Sequence, residues 1–458
     1  MQAESFINTG YQRLLTFEVS GGGFSLFGNP PARPFLTAYG LMELNDMSRV
    51  FAVDPAVIER TAQWLLNQQG SDGTWNDRGY SEHWRIDDRV PTTAYIVWAL
   101  TEAGYGDTPQ AQQALSYLRE FALQQDAGYS LALVANALAA AAPDDAVTQQ
   151  VLDELVNRAQ EDDGAIYWEA GTKSFMGGSG KAGSIETTAL AAYALLKTQT
   201  RPDVVNGALA YLVRAKDTFG TWQTTQATIL SLKTLLLAAT AGPAGAEGAG
   251  SVRVMLNGEE AQRVEITAED SDVVHLVVLS DAVHEGANDL RLEVQSGSGG
   301  GLNLMYQVTA AYYLPWQLVP RIEMGGEAMS IEVAYDRTDI AVDDTVVAEV
   351  WVRLNTAGTA RMVILDLGIP PGFEVLTEDL NALIAQSAGE ETRVERYELT
   401  GRQIILYLDN LRSEAPLRLR YRLRAKFPLR AKTASYHVYD YYNPEITASQ
   451  APTEMEVR

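Results

Sequence analysis

Hydrophobic positions in the first half of the chain fall into two kinds of segment that alternate. One kind is apolar on nearly every side. Its clearest copy is Ala94-Tyr95-Ile96-Val97-Trp98-Ala99-Leu100, preceded by Asp87-Asp88-Arg89-Val90-Pro91-Thr92-Thr93 and closed by Gly104. Acids and a proline suit a first helical turn, and a glycine suits a C-terminal stop. The pattern therefore predicts a helix with no wide polar face, buried on most sides. Variants start at Thr37-Ala38-Tyr39, Thr187-Thr188-Ala189 and Thr224-Thr225-Gln226-Ala227, with a weaker copy at Ser130-Leu131-Ala132-Leu133. The other kind is amphipathic, as at Ile58–Gln69 and Val151–Gln160. A glycine beside an aromatic separates most of them: Gly23-Phe24, Gly73-Thr74-Trp75, Gly164-Ala165-Ile166-Tyr167-Trp168 and Gly220-Thr221-Trp222.

This order is that of helix pairs stacked side by side around a continuous core. Inner helices so uniformly apolar favour an α/α toroid over a superhelical solenoid. The glycine permits the tight turn and the aromatic plugs the space beneath it. About five inner units are present, one short of a complete ring. Phe6–Leu15 reads as an outer helix with no inner partner before it, so a helix is expected to be missing from the front of the fold.

After an Ala/Gly/Pro-rich linker (241–250) the period changes to two. Strands are predicted at Val252–Leu256, Val273–Leu279, Leu290–Val294 and Leu304–Tyr312, with a hairpin turn at Asn257-Gly258. So few strands make a half-sandwich too thin to bury both faces. A larger antiparallel sandwich is predicted from Ser330–Tyr335, Thr345–Leu354, Arg361–Asp366, Ile404–Leu408, Leu417–Ala425 and Ala434–Tyr442. One helix, Thr377–Gln386, interrupts it, capped by Thr377. The fold class is thus multidomain, α then β: an incomplete α/α toroid followed by antiparallel β-sandwich domains.

Composition narrows the chemistry. A net charge of −24 over 458 residues argues against nucleic acid as a partner. The absence of cysteine excludes disulfides, thiolate metal sites and cysteine nucleophiles within these residues. The four histidines, His83, His275, His284 and His437, show no metal-pair spacing; no metal and no cofactor is expected. No apolar run reaches membrane-spanning length, and residues 1–20 lack the basic start and apolar core of a signal peptide.

Candidate groups remain. The acidic pairs Asp87-Asp88, Asp144-Asp145 and Asp162-Asp163 could act as acid and base, or could cap helices and turns. His83, beside Glu82, could be a general base or an idle loop histidine. Arg418, Arg420, Arg422 and Arg424 alternate along one strand, as a solvated face or an anion site. Tyr439, Tyr441 and Tyr442 crowd one strand so densely that both faces carry a tyrosine, and one should meet another surface. From residues alone, binding or structural roles stand ahead of catalysis. A cyclase- or lyase-like toroid enzyme using Asp87, Asp88 and His83, and an adhesion or scaffold module, are the rivals.

Gly10-Tyr11-Gln12-Arg13, Gly23-Phe24-Ser25-Leu26-Phe27-Gly28, Phe35-Leu36-Thr37-Ala38-Tyr39, Ile185-Glu186-Thr187-Thr188-Ala189, Gly220-Thr221-Trp222-Gln223-Thr224-Thr225-Gln226-Ala227 and Val438-Tyr439-Asp440-Tyr441-Tyr442-Asn443 follow one another in an order that resembles the α2-macroglobulin and complement thioester-protein family. The resemblance spans essentially the whole chain. It implies a thioester-type toroid over 1–242, the second half of a CUB-type β-domain over 251–316 and a macroglobulin-like receptor-binding sandwich over 317–458. It implies no enzyme. The function it implies is protease trapping by a larger parent, with target proteases and upstream macroglobulin domains as partners, in a periplasmic or secreted setting. The family's Cys-x-Glu-Gln thioester is absent here, so this stretch alone is expected to be unable to acylate a target. The resemblance places His83 near a histidine that steers the thioester, and Tyr439, Tyr441 and Tyr442 near a region that shields it from water. The helix Thr377–Gln386 has Glu378 and Asp379 where relatives carry receptor-binding lysines, which argues against that kind of clearance.

Overall fold

The computed structural model describes residues 2–76, 89–217, 220–240, 250–267, 275–296, 304, 306–310 and 328–458. The helical part comprises α1 (Gln2–Leu15), α2 (Pro34–Ser48), α3 (Pro55–Asn67), α4 (Arg89–Glu102), α5 (Pro109–Phe121), α6 (Gly128–Ala141) and α7 (Ala146–Asn157). A short hairpin, β1 (Gln160–Asp162) and β2 (Ala165–Tyr167), leads to α8 (Gly180–Lys197), α9 (Pro202–Ala215) and α10 (Thr225–Thr240). Proline occupies the first turn of α2, α3, α5 and α9. The carboxylates of Asp54 and Asp145 and the hydroxyl of Thr108 accept backbone N–H groups at the starts of α3, α7 and α5. Asp145 is therefore a cap. Asp163 and Gly164, both at positive φ, turn the β1–β2 hairpin.

The apolar helices α2, α4, α6, α8 and α10 pack in that order as an inner row, with the amphipathic helices outside. In α4 every residue from Val90 to Leu100 is buried, as its unbroken apolar pattern requires. The ends of the row are joined by Lys233 on α10, whose Nζ lies 2.6 Å from Asp46 Oδ2 on α2. The same ammonium sits over the rings of Trp98 and Tyr193.

The Gly-aromatic signal has a repeated structural cause. The indole N–H of Trp75, Trp168 and Trp222 donates to Leu65 O (2.8 Å), Leu155 O (2.6 Å) and Leu212 O (2.6 Å) in the last turns of α3, α7 and α9. The backbone N–H of Phe24, Trp75, Trp168 and Trp222 donates to the hydroxyl of Thr37, Thr93, Thr188 and Thr228 on the following inner helix. Each tryptophan thus closes an outer helix and pins the next inner one, Phe24 does only the pinning, and all four rings are buried.

Beyond the helices, β3 (Gly250–Leu256), β4 (Glu259–Ile266) and β5 (Leu290–Ser296) form a sheet in the order β4-β3-β5. The strand expected at Val273–Leu279 is not formed over its described part, 275–279; nor is that at Leu304–Tyr312 over 306–310. Among the described residues no strand lies beside them to take up their backbone hydrogen bonds, and Leu276, Val278, Tyr306 and Val308 are exposed. The hairpin strand β4 was missed because its side chains are exposed on both faces, which removes the alternation.

The sandwich contains β6 (Met329–Tyr335), β7 (Asp339–Ile340), β8 (Thr345–Leu354), β9 (Thr359–Gly368), β10 (Phe373–Val375), α11 (Thr377–Ser387), β11 (Arg393–Leu399), β12 (Gln403–Arg412), β13 (Leu417–Ala425), β14 (Leu429–Lys432), β15 (Tyr436–Asp440), β16 (Thr447–Gln450) and β17 (Glu454–Val457). One sheet runs β10-β13-β8-β6, a second β11-β12-β9-β15-β16, and a small third β14-β17-β7. Val346, Ala348, Val350 and Val352 of β8 share a single core with Val363, Leu365 and Leu367 of β9. Thr377 is the first residue of α11, not its cap: the preceding Leu376 makes no side-chain cap. The arginine ladder faces outward. Arg418 and Arg420 converge on Glu349, and Arg422 grips Asp379 of α11, so the solvated-face reading accounts for three of the four.

Candidate functional site

Outer and inner helices alternate along the chain, and the aromatic cluster before α8 draws together residues near the starts of α2, α4 and α6, which defines a rim. Just before α8, residues 174–178 fold back on themselves. Ser174 N donates to Gly178 O (2.9 Å), and Gly178 N donates to Ser174 Oγ (2.9 Å). This turn drives Phe175 into the rim, where it stacks on Phe35 at 4.2 Å and meets Tyr95 and Tyr129 edge-on.

The sandwich touches the helical part at this loop. Ser179 N and Oγ both donate to Asn443 Oδ1, at 3.2 and 2.7 Å. The ring of Tyr442 lies across Gly177, where an added Cβ would stand 3.3 Å from Tyr442 Cγ, and the φ of Gly177 is +85°. A side chain is therefore disfavoured there twice over. Lys181 and Glu445 add an ion pair at 3.9 Å, worth little at such exposure. The corner of the sandwich is itself braced: Asp440 accepts from Tyr442 N (2.8 Å) and Asn443 N (3.1 Å). This bracing ends β15 at Asp440, short of the strand end expected at Tyr442. Burial raises the Asp440 carboxyl above its ordinary range, and the two backbone bonds, Asn443 and Lys173 pull it back. Burial likewise pushes the Tyr442 phenol up to about 12. A cavity of about 190 Å³, lined among others by Lys173, Ser179, Arg361, Asp440 and Tyr442, lies along this contact.

The three tyrosines separate. Tyr442 reaches the helical part. Tyr441, 42 % exposed, packs edge-on against Tyr442 at 5.2 Å. Tyr439 stays on the sheet, half-buried beside Asp366 and Tyr407. His83, Asp87 and Asp88 lie outside the described residues. Elsewhere, His437 is held between the hydroxyls of Ser435 and Ser449, and His284 meets Asn257 in the turn region of the three-stranded sheet. Among the described residues no cluster of His, Asp or Glu could hold a metal, and no helix is long and apolar enough to cross a membrane. Sequence reasoning missed Glu186, Ser179 and Asn443. A signal existed for the first: a lone acid inside an apolar helix.

Comparison with known proteins agrees with the architecture. The family described as the A-macroglobulin TED domain matches residues 1–237, and the A-macroglobulin receptor binding domain matches residues 358–452. The chain therefore belongs to the α2-macroglobulin and complement thioester-protein family. Complement C3 of Oncorhynchus mykiss is 24% identical over 476 residues, covering 96% of this chain and 27% of that protein. Thioester-containing protein 1, allele R1, of Anopheles gambiae is 22% identical over 462 residues, covering 98% and 32%. The crystal structure of native Escherichia coli α2-macroglobulin from domain MG7 to the C-terminus superposes with a TM-score of 0.59 at 17% identity, covering 98% of this chain and 67% of that one. The chain spans about a third or less of the curated relatives it matches and corresponds to an α2-macroglobulin-like C-terminal region.

Proposed function

We propose that the chain is the C-terminal part of an α2-macroglobulin-like protease trap that works outside the cytoplasm, periplasmic or secreted, in a bacterium. In this reading residues 1–242 are the thioester-type toroid, 251–316 the second half of a CUB-type domain and 317–458 the receptor-binding sandwich. The 458 residues contain no cysteine, so any thioester would have to come from outside them, and this part alone captures nothing covalently. Its role is to hold the rim of the toroid covered, with Tyr442 as the shielding residue and Tyr441 buttressing it. Tyr439 belongs to the sheet and His83 keeps its expected steering role.

The seating of Tyr442 and Asn443 on the Gly177–Ser179 loop supports this reading most directly. A corner braced by Asp440 and laid over the rim is what a guard requires, and an enzyme cavity is not needed to explain it. The test is to incubate the chain, expressed with its natural upstream coding sequence, with a broad-specificity protease. The expected result is loss of cleavage of a protein substrate with retained cleavage of a short peptide. Equal loss of both, or of neither, contradicts the trap.

A further inference from the structure

Buried carboxyl groups are normally paired or hydrogen-bonded, yet Glu186 is 0 % exposed and neither of its oxygens has a hydrogen-bond partner. It projects from α8 directly against the rim loop: a Cβ on Gly178 would lie 2.5 Å from Glu186 Oε1. On the loop's other side Gly177 carries the ring of Tyr442, and Ser179 donates to Asn443. Carboxyl, loop and sandwich corner form one stack.

The titratable groups facing Glu186 are Tyr129 on α6 and Tyr39 on α2. The hydroxyls of Ser174 and Thr224 approach it closely enough to favour its charged form without closing a bond. Among the described residues no cation acts on it. Asp440, Lys173 and the Lys181–Glu445 pair lie beyond the loop, at the contact with the sandwich. Such a site tolerates the neutral acid and rejects the carboxylate.

We propose that Glu186 is a proton-operated switch on the contact between toroid and sandwich. Protonated, it lets the Ser174–Ser179 loop seat against Tyr442 and Asn443. Ionised, it draws water, lifts the loop and releases them. Burial raises the seated carboxyl from its ordinary 4.5 to about 8, and the ordinary value returns once water reaches it. Between those values the seated state binds more protons than the released one. Seating is therefore favoured at low pH, weakens by up to about tenfold per pH unit as the pH climbs through the window, and changes no further above it. The switch rests on the same seated corner as the protease-trap reading but not on protease capture. A chain that releases with pH and traps nothing would keep the one and lose the other.

Hydrogen exchange of the whole chain between pH 5 and pH 9, corrected for intrinsic exchange, tests it. The amides of Gly177–Ser179 and Tyr442–Asn443 should lose protection by up to about tenfold per unit up to about pH 8, and Glu186→Gln should hold them protected and flat throughout. Flat wild-type protection, or an unchanged slope in Glu186→Gln, overturns the switch. Thr224→Val guards against a Gln variant that does not fold. It removes a hydroxyl that favours the charged form, so the upper end of the window must move to higher pH, with protection still falling above about pH 8; an upper end that moves down or stays put overturns it as well.

Discussion

Trp75, Trp168 and Trp222 donate from the same indole atom to the same kind of carbonyl, three times along the chain. Trp168→Phe would keep a smaller aromatic ring in place and leave Leu155 O unpaired in the core. The expected loss is about 1–3 kcal/mol, read from urea denaturation at constant slope. Thr188→Val is nearly isosteric and deprives the buried Trp168 N–H of its acceptor, at a similar cost. A loss below a few tenths of a kcal/mol in either would mean that the aromatic plugs by packing alone. At this scale the sequence was readable in part. The Gly-aromatic and Thr signals were visible as a repeat, but the bond joining them runs between residues 6 to 20 positions apart, and spacing alone does not reveal which atoms meet. Glu186 was visible as a residue and illegible as a site, because what surrounds it is decided by the loop from Ser174 to Ser179.

Among elements, the inner helices were legible because they are apolar on all sides, and such a pattern has few homes other than the middle of a layered fold. Their exact neighbours were not. The bridge from Lys233 to Asp46 closes the row of five, and Lys233 was one polar residue among many in the sequence. Burial and Asp46 raise the nearby Glu43 carboxyl, and Lys233 opposes them. Lys233→Met would leave Asp46 with only the more distant and exposed Arg49 (3.8 Å) and Glu43 without its opposing charge, and should cost about 1–3 kcal/mol, with the loss shrinking when Asp46→Asn is added. Independent effects of the two substitutions would show that the bridge does not join α10 to α2. Gly128 opens α6, where a Cβ would stand 2.3 Å from Glu169 O. Gly128→Ala should therefore cost about 1–3 kcal/mol although alanine is the better helix former. The sandwich strands with clean alternation were found, whereas β4 and β11, whose outward and inward positions are both largely polar, were not.

For the whole molecule, the order of parts was readable and the contact between them was not. The tyrosine cluster pointed to a second surface, but its owner is the loop at Gly177, more than 250 residues away in the chain. That contact joins one aromatic ring, two hydrogen bonds and an exposed ion pair, which suits parts that separate on a signal. It is also what both the guarding role and the proton switch depend on. The most direct measurement exploits the natural absence of cysteine. Ser179→Cys with Asn443→Cys places two thiols on residues whose side chains now hydrogen-bond at 2.7 Å, and a disulfide between them forms only while the two backbones stay close, while Ser179→Cys with Thr400→Cys serves as a control. Under mild oxidation at pH 6 the first pair should cross-link rapidly and nearly completely, and the control should not. Cross-linking no faster than the control would show that the sandwich corner does not sit on the rim of the toroid.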